Sequence, residues 1–124
     1  MVSDLNFYRD LSVLAVRVLC DRLPNRKADA VYLIGETPDN QNSVFDAGVR
    51  LLEDGIVKDV ALPGSTDTGH GYPGFQVWHG ELKSRGVSER CIVPVPGEHS
   101  NTFVEAVSLI EFARGAGWRS LIIT

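Results

Sequence analysis

The sequence has few cysteines and no long apolar run, and each shortage excludes a class of protein. Its only two cysteines, Cys20 and Cys91, are far apart, and neither belongs to a CxxC pair. We therefore expect two buried thiols, with a single disulfide as the alternative, and no zinc site. The longest apolar stretch, residues 11–20, contains Arg17 and is too short to span a bilayer. It also lacks the features of a signal peptide, so the sequence predicts a soluble cytoplasmic protein.

Basic residues are also fewer than acidic residues. Twelve Lys and Arg residues against sixteen Asp and Glu residues give a formal net charge of −4. A general nucleic-acid binder needs a basic surface to neutralise phosphates, so we expect no nucleic-acid partner. An anionic small ligand is still compatible with this charge, because backbone N–H groups can hold it.

Short apolar runs that alternate with amphipathic segments predict an α/β fold. An N-terminal helix is predicted within residues 1–26, followed by buried strands over residues 30–34, 59–62, 91–95 and 120–124.

Between these strands the spacing predicts helices over about residues 43–54, 75–84 and 102–114. Gly55 and Gly86 end the first two, and Gly115 and Gly117 end the third. Strands joined by helical crossovers form parallel sheets with helices on both faces. We therefore expect residues 27–124 to form a Rossmann-like three-layer α/β/α domain with a mostly parallel sheet of about four strands.

Ligands of open parallel sheets bind beyond the carboxyl ends of the strands. The loops that follow the first three predicted strands are rich in small, hydroxyl and carboxylate residues. The candidate ligand-binding residues are Gly35, Glu36, Thr37, Gly64, Ser65, Thr66, Glu98, Ser100, Asn101, Thr102 and Glu105.

Each of these loops has two interpretations. The segment 64–66 (GST) is either a plain loop or an anion nest of backbone N–H groups. The segment 100–102 (SNT) either only caps the helix or presents its positive end to an anion. Glu105 is either the partner of Thr102 in a capping box or a ligand residue. Glu36 and Glu98 are either solvated loop acids or residues that bind hydroxyl groups or a cation, or act as acid and base.

Several of these segments resemble one known family, the domain of unknown function 218. The matching segments are residues 28–35 (ADAVYLIG), 51–55 (LLEDG), 62–65 (LPGS), 85–87 (RGV), 98–106 (EHSNTFVEA) and 117–124 (GWRSLIIT). The most specific is 98–106, which is similar to the family pattern E-x-S-x-N-T-x-E-N-A. Val104 stands where the family usually has Glu, and Glu105 follows it.

The resemblance implies a Rossmann-like domain of the group that includes the bacterial proteins SanA, ElyC and YdcF. That group is associated with cell-envelope and lipid-carrier metabolism, and a YdcF-type member with binding S-adenosylmethionine. The resemblance thus implies a nucleoside-like or phosphorylated ligand, with S-adenosylmethionine as a cofactor candidate. Family members continue past the last strand with a Ser/Thr, His and Arg motif, so we expect this chain to be the N-terminal part of such a domain.

Three functions follow as hypotheses. The first is a small-molecule-binding domain of the YdcF type. The second is an enzyme acting on a phosphorylated envelope intermediate, with Glu36 or Glu98 as base and His70 or His99 nearby. The third is an assembly fragment whose last strand, residues 120–124, pairs with a second copy or a completing chain.

Overall fold

A computed structural model describes residues 9, 26–35, 37–65, 72–97 and 101–124. Apart from Arg9, the predicted N-terminal helix lies outside the described residues. Within the described part, none of the helices is both long enough and apolar enough to cross a membrane.

In the part of the chain that the structure describes, four parallel strands form one sheet. They are β1 (Ala30–Tyr32), β2 (Asp59–Pro63), β3 (Ile92–Val95) and β4 (Leu121–Ile123). Their order in the sheet is β3-β2-β1-β4, and every neighbouring pair is parallel. The predicted Rossmann-like α/β fold with a four-stranded parallel sheet is therefore confirmed.

Three helices connect the strands in the described part of the chain: α1 (Gln41–Glu53), α2 (Phe75–Ser84) and α3 (Thr102–Ala116). The bounds of α2 match the prediction, whereas α1 starts two residues before the predicted Ser43. Gly117, at φ 75°, terminates α3. The prediction that Gly115 also stops this helix is wrong, because Gly115 lies inside α3.

The side chains of each strand alternate between the two faces of the sheet, and each face has its own apolar cluster. On the α1–α2 face, Val31 and Val60 pack with Phe45 of α1 and Trp78 of α2. On the α3 face, the strand residues Tyr32, Ala61 and Val95 pack with Leu109 of α3. The helices thus form the two outer layers, which is the three-layer arrangement expected from the sequence.

The inward side of α1 differs from the apolar stripe that the sequence suggests. Val44, Ala47 and Leu52 are only partly buried, whereas Gln41 and Gly48 are buried. Gly48 is buried because α1 lies very close to β1: a Cβ atom at Gly48 would be 2.5 Å from Leu33 Cδ2. A small residue at this position therefore sets the distance between helix and sheet.

Pro94 interrupts the third predicted strand, yet β3 includes it. β3 lies at the end of the sheet order, and Pro94 is exposed. An edge strand tolerates proline because the missing N–H group is not needed by a further strand. The position of β3 therefore resolves the conflict between Pro94 and the strand pattern.

Arg85 connects the two helices on the α1–α2 face. Its guanidinium donates hydrogen bonds to Asn42 Oδ1 (2.8 Å) and Asp46 Oδ1 (3.2 Å) of α1. It also donates to Glu81 Oε2 of α2 (2.8 Å) and lies 5.5 Å from the centre of the Phe45 ring. These contacts join the end of α2 to the first two turns of α1 and hold the two helices side by side.

Asp29 joins β1 to β4 at the opposite edge. Its Oδ2 accepts hydrogen bonds from the backbone N–H groups of Arg119 (2.6 Å) and Ser120 (3.0 Å). The Asp29 N–H in turn donates to the Ser120 carbonyl (3.1 Å). These bonds lower the pKa of Asp29 below its ordinary value of 3.8, because they stabilise the carboxylate.

Candidate functional site

The candidate site lies at the carboxyl edge, the edge of the sheet where the four strands end. From β1 the chain proceeds through β2 to β3 on one side and then returns to β4 on the other side. The helices that connect the strands therefore lie on opposite faces of the sheet: α1 and α2 cover one face and α3 covers the other. Ligands of doubly wound folds bind in the crevice at such a switch point. The end of β1 is thus the centre of the candidate site.

Gly35 and Gly64 are required by close packing at this edge. A Cβ atom at Gly35 would be 2.8 Å from Trp78 Cη2, and one at Gly64 would be 2.9 Å from the Val95 carbonyl oxygen. The Gly64 N–H already donates to that oxygen, at 2.8 Å. The amide of Gly64 is consequently used in the fold, and an anion nest in this loop would depend on other residues.

Thr37 and Ser65 lie where their loops turn into helices. The Thr37 carbonyl accepts hydrogen bonds from the N–H groups of Asn40 and Gln41, both at 3.0 Å. The Ser65 carbonyl accepts from the N–H of Phe75 at 3.1 Å. The backbone of both predicted site residues therefore shapes the entry to α1 and α2.

Asn101 caps the start of α3. Its Oδ1 accepts a hydrogen bond from the Val104 N–H at 2.9 Å. Helix geometry leaves the N–H groups of Thr102 and Phe103 without an acceptor inside the helix. This first turn therefore presents backbone donors and the positive end of the helix dipole at the carboxyl edge.

Glu105 does not complete a capping box, because its side chain turns to the sheet. Val104, not Glu105, occupies the third position after the cap. Glu105 Oε1 accepts a hydrogen bond of 2.5 Å from the hydroxyl of Tyr32 in β1. The capping-box interpretation of Glu105 is therefore wrong, and its role as a ligand residue stays a prediction.

Tyr32 contacts the candidate site through Glu105, and the sequence analysis did not single it out. The residue is 1% exposed, and burial together with the charge of Glu105 raises the pKa of its hydroxyl well above the ordinary value of 10. A signal for it exists in the sequence, since a tyrosine within a strand covered on both faces needs a hydrogen-bond partner for its hydroxyl. The partner itself is 73 residues away along the chain.

Two aromatic residues are exposed close to the strand ends. Phe103, in the first turn of α3, is 60% exposed, and Tyr72, three residues before α2, is 40% exposed. Large exposed apolar side chains beside polar groups are typical of ligand sites. Phe103 therefore offers a flat apolar surface next to the amides of the α3 start.

Four predicted ligand residues lie outside the described residues, as do the two candidate histidines of the enzyme hypothesis. They are Glu36, Thr66, Glu98 and Ser100, with His70 and His99. The structure does place Gly35, Thr37, Gly64, Ser65, Asn101, Thr102 and Glu105 at the carboxyl edge. In the described ranges, no group of three or more His, Cys, Asp or Glu side chains could hold a metal ion.

No protein-family model, curated protein or solved structure matches this chain. The geometry of the carboxyl edge is therefore the basis for a functional proposal.

Replacing Tyr32 with Phe is expected to lower the free energy of unfolding at pH 7 by about 1.5–3 kcal/mol, the usual contribution of a hydrogen bond to a charged group. The matched control is Tyr72→Phe, which changes an exposed tyrosine and should stay within about 0.5 kcal/mol of the wild type. Urea denaturation followed by circular dichroism measures both. Equal stabilities of the two variants would contradict the role of the Tyr32–Glu105 bond.

The same pair has a predicted pH dependence. Because the folded pKa of Tyr32 is raised, the unfolded chain loses this proton first as the pH rises above 10. The stability advantage of the wild type over Tyr32→Phe should therefore be present below pH 10 and shrink above it. Denaturation curves between pH 8 and 11 test this.

Proposed function

We propose that this protein is a small-molecule-binding domain of the YdcF type. Its ligand is nucleoside-like or phosphorylated and binds at the carboxyl edge of the sheet, and S-adenosylmethionine is the first candidate. The resemblance of residues 98–106 to the domain of unknown function 218 supports the choice of ligand. The supporting geometry is the first turn of α3.

The first turn of α3 is the single observation that carries this proposal. It combines three kinds of chemistry within four residues: the backbone N–H groups of Thr102 and Phe103, the exposed ring of Phe103, and the carboxylate of Glu105. A nucleoside-like ligand carries three groups that match these three kinds of chemistry. Its base can stack on an aromatic ring, its hydroxyl groups can donate to a carboxylate, and its acidic group can accept from backbone amides.

The charge of this turn favours such a ligand over inorganic phosphate. Glu105 adds a negative charge beside the amides, which opposes a bare anion. A hydroxyl group, by contrast, gains a charge-assisted hydrogen bond from the same carboxylate. A ligand that carries hydroxyl groups next to its acidic group therefore fits this turn best.

Thermal-shift and calorimetric titrations of the full chain test the proposal. The ligands are S-adenosylmethionine, S-adenosylhomocysteine, ATP and undecaprenyl phosphate. A ligand at about 100 times its Kd adds roughly 2.7 kcal/mol of stability, which is a clearly visible shift. We expect a shift with at least one nucleoside ligand. No shift with any of the four would contradict the proposal.

Phe103→Ala tests the stacking surface. Base–aromatic stacking contributes about 1–3 kcal/mol, so this variant should bind the nucleoside about 5- to 150-fold more weakly. Its matched control is Val77→Ala on α2, where the native side chain is 48% exposed and binding should be unchanged. Both variants should keep the melting temperature of the wild type. Wild-type affinity of Phe103→Ala would exclude stacking on this ring.

Assembly through β4 is a second candidate function. β4 lies at the end of the sheet order, and its three residues, Leu121, Ile122 and Ile123, are all partly exposed. Apolar edge strands favour pairing with another chain. Solution mass measured over a hundredfold concentration range should then rise with concentration, whereas a constant monomer mass would contradict assembly.

A further inference from the structure

Three buried polar atoms have no hydrogen-bond partner within the described part of the chain: Gln41 Oε1, Trp78 Nε1 and Thr124 Oγ1. Gln41 and Trp78 are 8% and 4% exposed. Native proteins pair nearly all buried polar groups, because an unpaired one loses its hydrogen bonds to water without replacement. Groups of this kind are candidates for pairing with a ligand or with an ordered water molecule.

Trp78 lies against the end of β1. Its ring atoms Cη2 and Cζ2 would be 2.8 and 3.3 Å from a Cβ atom at Gly35. Nε1 is two bonds from Cζ2, so the unpaired donor is at the ring edge that faces the end of this strand. Gly35 therefore allows the indole to approach the centre of the candidate site.

Gln41, like Trp78, lies on the α1–α2 face of the sheet near its carboxyl edge. It belongs to the inward stripe of α1 with Phe45 and Gly48, at spacings of four and seven residues. Gly48 packs on Leu33, and two helical turns correspond to about 10.5 Å. Since α1 starts at the carboxyl edge, Gln41 lies beyond Leu33 in the direction of β1, on the face of the sheet that also holds Gly35.

Thr124 reaches this region from β4. Its N–H donates to the Tyr32 carbonyl (3.1 Å), and its carbonyl accepts from the Ile34 N–H (3.2 Å). Ile122 belongs to the apolar cluster on the α1–α2 face, and side-chain alternation places Thr124 on that face too. Its hydroxyl is therefore beside Leu33, which lies two residues before Gly35 and on the same face of the sheet.

We propose that Gln41, Trp78 and Thr124 form a neutral hydrogen-bonding site for a sugar hydroxyl of the ligand. The inference rests on the proposed nucleoside-like ligand and assigns one of its sugar hydroxyl groups to the α1–α2 side of β1, which leaves the other hydroxyl for Glu105. The three groups are an amide, an indole N–H and a hydroxyl, none of which is charged. A buried neutral site cannot compensate the desolvation of a phosphate or carboxylate. A hydroxyl group, which both donates and accepts, satisfies an acceptor and a donor at once.

Titration of the full chain with adenosine, 2′-deoxyadenosine and 3′-deoxyadenosine tests this site. The variants are Trp78→Phe and Gln41→Met, which keep most of the apolar contact and remove the polar atoms. Trp118→Phe is the matched control, because Trp118 packs with Phe112 on the α3 face. We expect the wild type to bind adenosine about tenfold more tightly than at least one deoxynucleoside, the value of one buried hydrogen bond. Trp78→Phe and Gln41→Met should each abolish this preference, and Trp118→Phe should retain it.

The melting temperatures of the free variants give an independent result. If the polar atoms are unpaired without ligand, the nearly isosteric Gln41→Met keeps or raises the melting temperature, whereas Trp78→Phe lowers it through the cavity that the smaller ring leaves in the core. A lower melting temperature of Gln41→Met with an unchanged preference for adenosine would overturn the inference, since Gln41 Oε1 would then have a structural partner. If the wild type binds no nucleoside while Gln41→Met keeps its melting temperature, the nucleoside-like ligand is refuted and the unpaired polar site is supported.

Discussion

Replacing Gly48 with Ala is expected to lower the free energy of unfolding by about 1–2 kcal/mol, although alanine is the better helix former. The added Cβ would be 2.5 Å from Leu33 Cδ2. Leu33 is fully buried, so its side chain cannot move aside without displacing the core between α1 and β1. Chemical denaturation measures the loss.

Gly80 provides the matched control in α2. It too lies inside a helix, but a Cβ atom there would have no neighbour within 4 Å. Gly80→Ala should therefore raise the free energy of unfolding by about 0.5–1 kcal/mol. Opposite signs for the two substitutions are the predicted result. A stabilising effect of Gly48→Ala would mean that α1 is farther from the sheet than described.

Removal of the Asp29 carboxylate is expected to lower the free energy of unfolding, because its hydrogen bonds connect β1 to β4. Asp29→Ala removes the acceptor of the Arg119 and Ser120 amides and should cost about 2–4 kcal/mol at pH 7. Asp29→Asn keeps one oxygen acceptor without the charge, so its loss should be smaller. Equal stability of Asp29→Ala and the wild type would exclude this carboxylate as the link between the two strands.

The contribution of Asp29 also has a defined pH window. Its folded pKa is lowered below 3.8, so the unfolded state takes up this proton first as the pH falls. The stability that Asp29 adds is therefore present above pH 3.8 and is lost as the pH falls further. The difference between the wild type and Asp29→Asn should shrink below pH 3.8, and a difference that is constant down to pH 2 would contradict this assignment.

Local patterns in the sequence were sufficient to predict the strands and their parallel arrangement. Apolar runs such as residues 30–34 are diagnostic because strands buried on both faces need no polar positions. The inward side of α1 could not be predicted in this way. Gln41 and Gly48 are both buried, and neither residue contributes to an apolar pattern.

Only part of the candidate site could be predicted from the sequence. The rule that ligands bind at strand ends pointed to the segments containing Gly35, Gly64 and Thr102, and the structure places these residues at the carboxyl edge. That a ligand binds there stays a prediction. The pairing of Tyr32 with Glu105 depends on the path of α3 across the sheet, which residue spacing does not encode. Trp78 likewise becomes a site candidate only because α2 brings its indole against Gly35.

The central claim is that a small molecule binds at the carboxyl edge of the sheet. An NMR titration that follows the backbone amide signals tests it most directly, because it shows at which edge the small molecule binds. The ¹⁵N-labelled full chain is titrated with S-adenosylmethionine and then with the other three ligands named above. We expect the largest shifts at the carboxyl edge, in Gly35, Ser65, Thr102 and Phe103, and small shifts at the opposite edge, represented by Gly86. Shifts concentrated at the opposite edge, or none with any of the four ligands, would contradict a ligand site at the carboxyl edge.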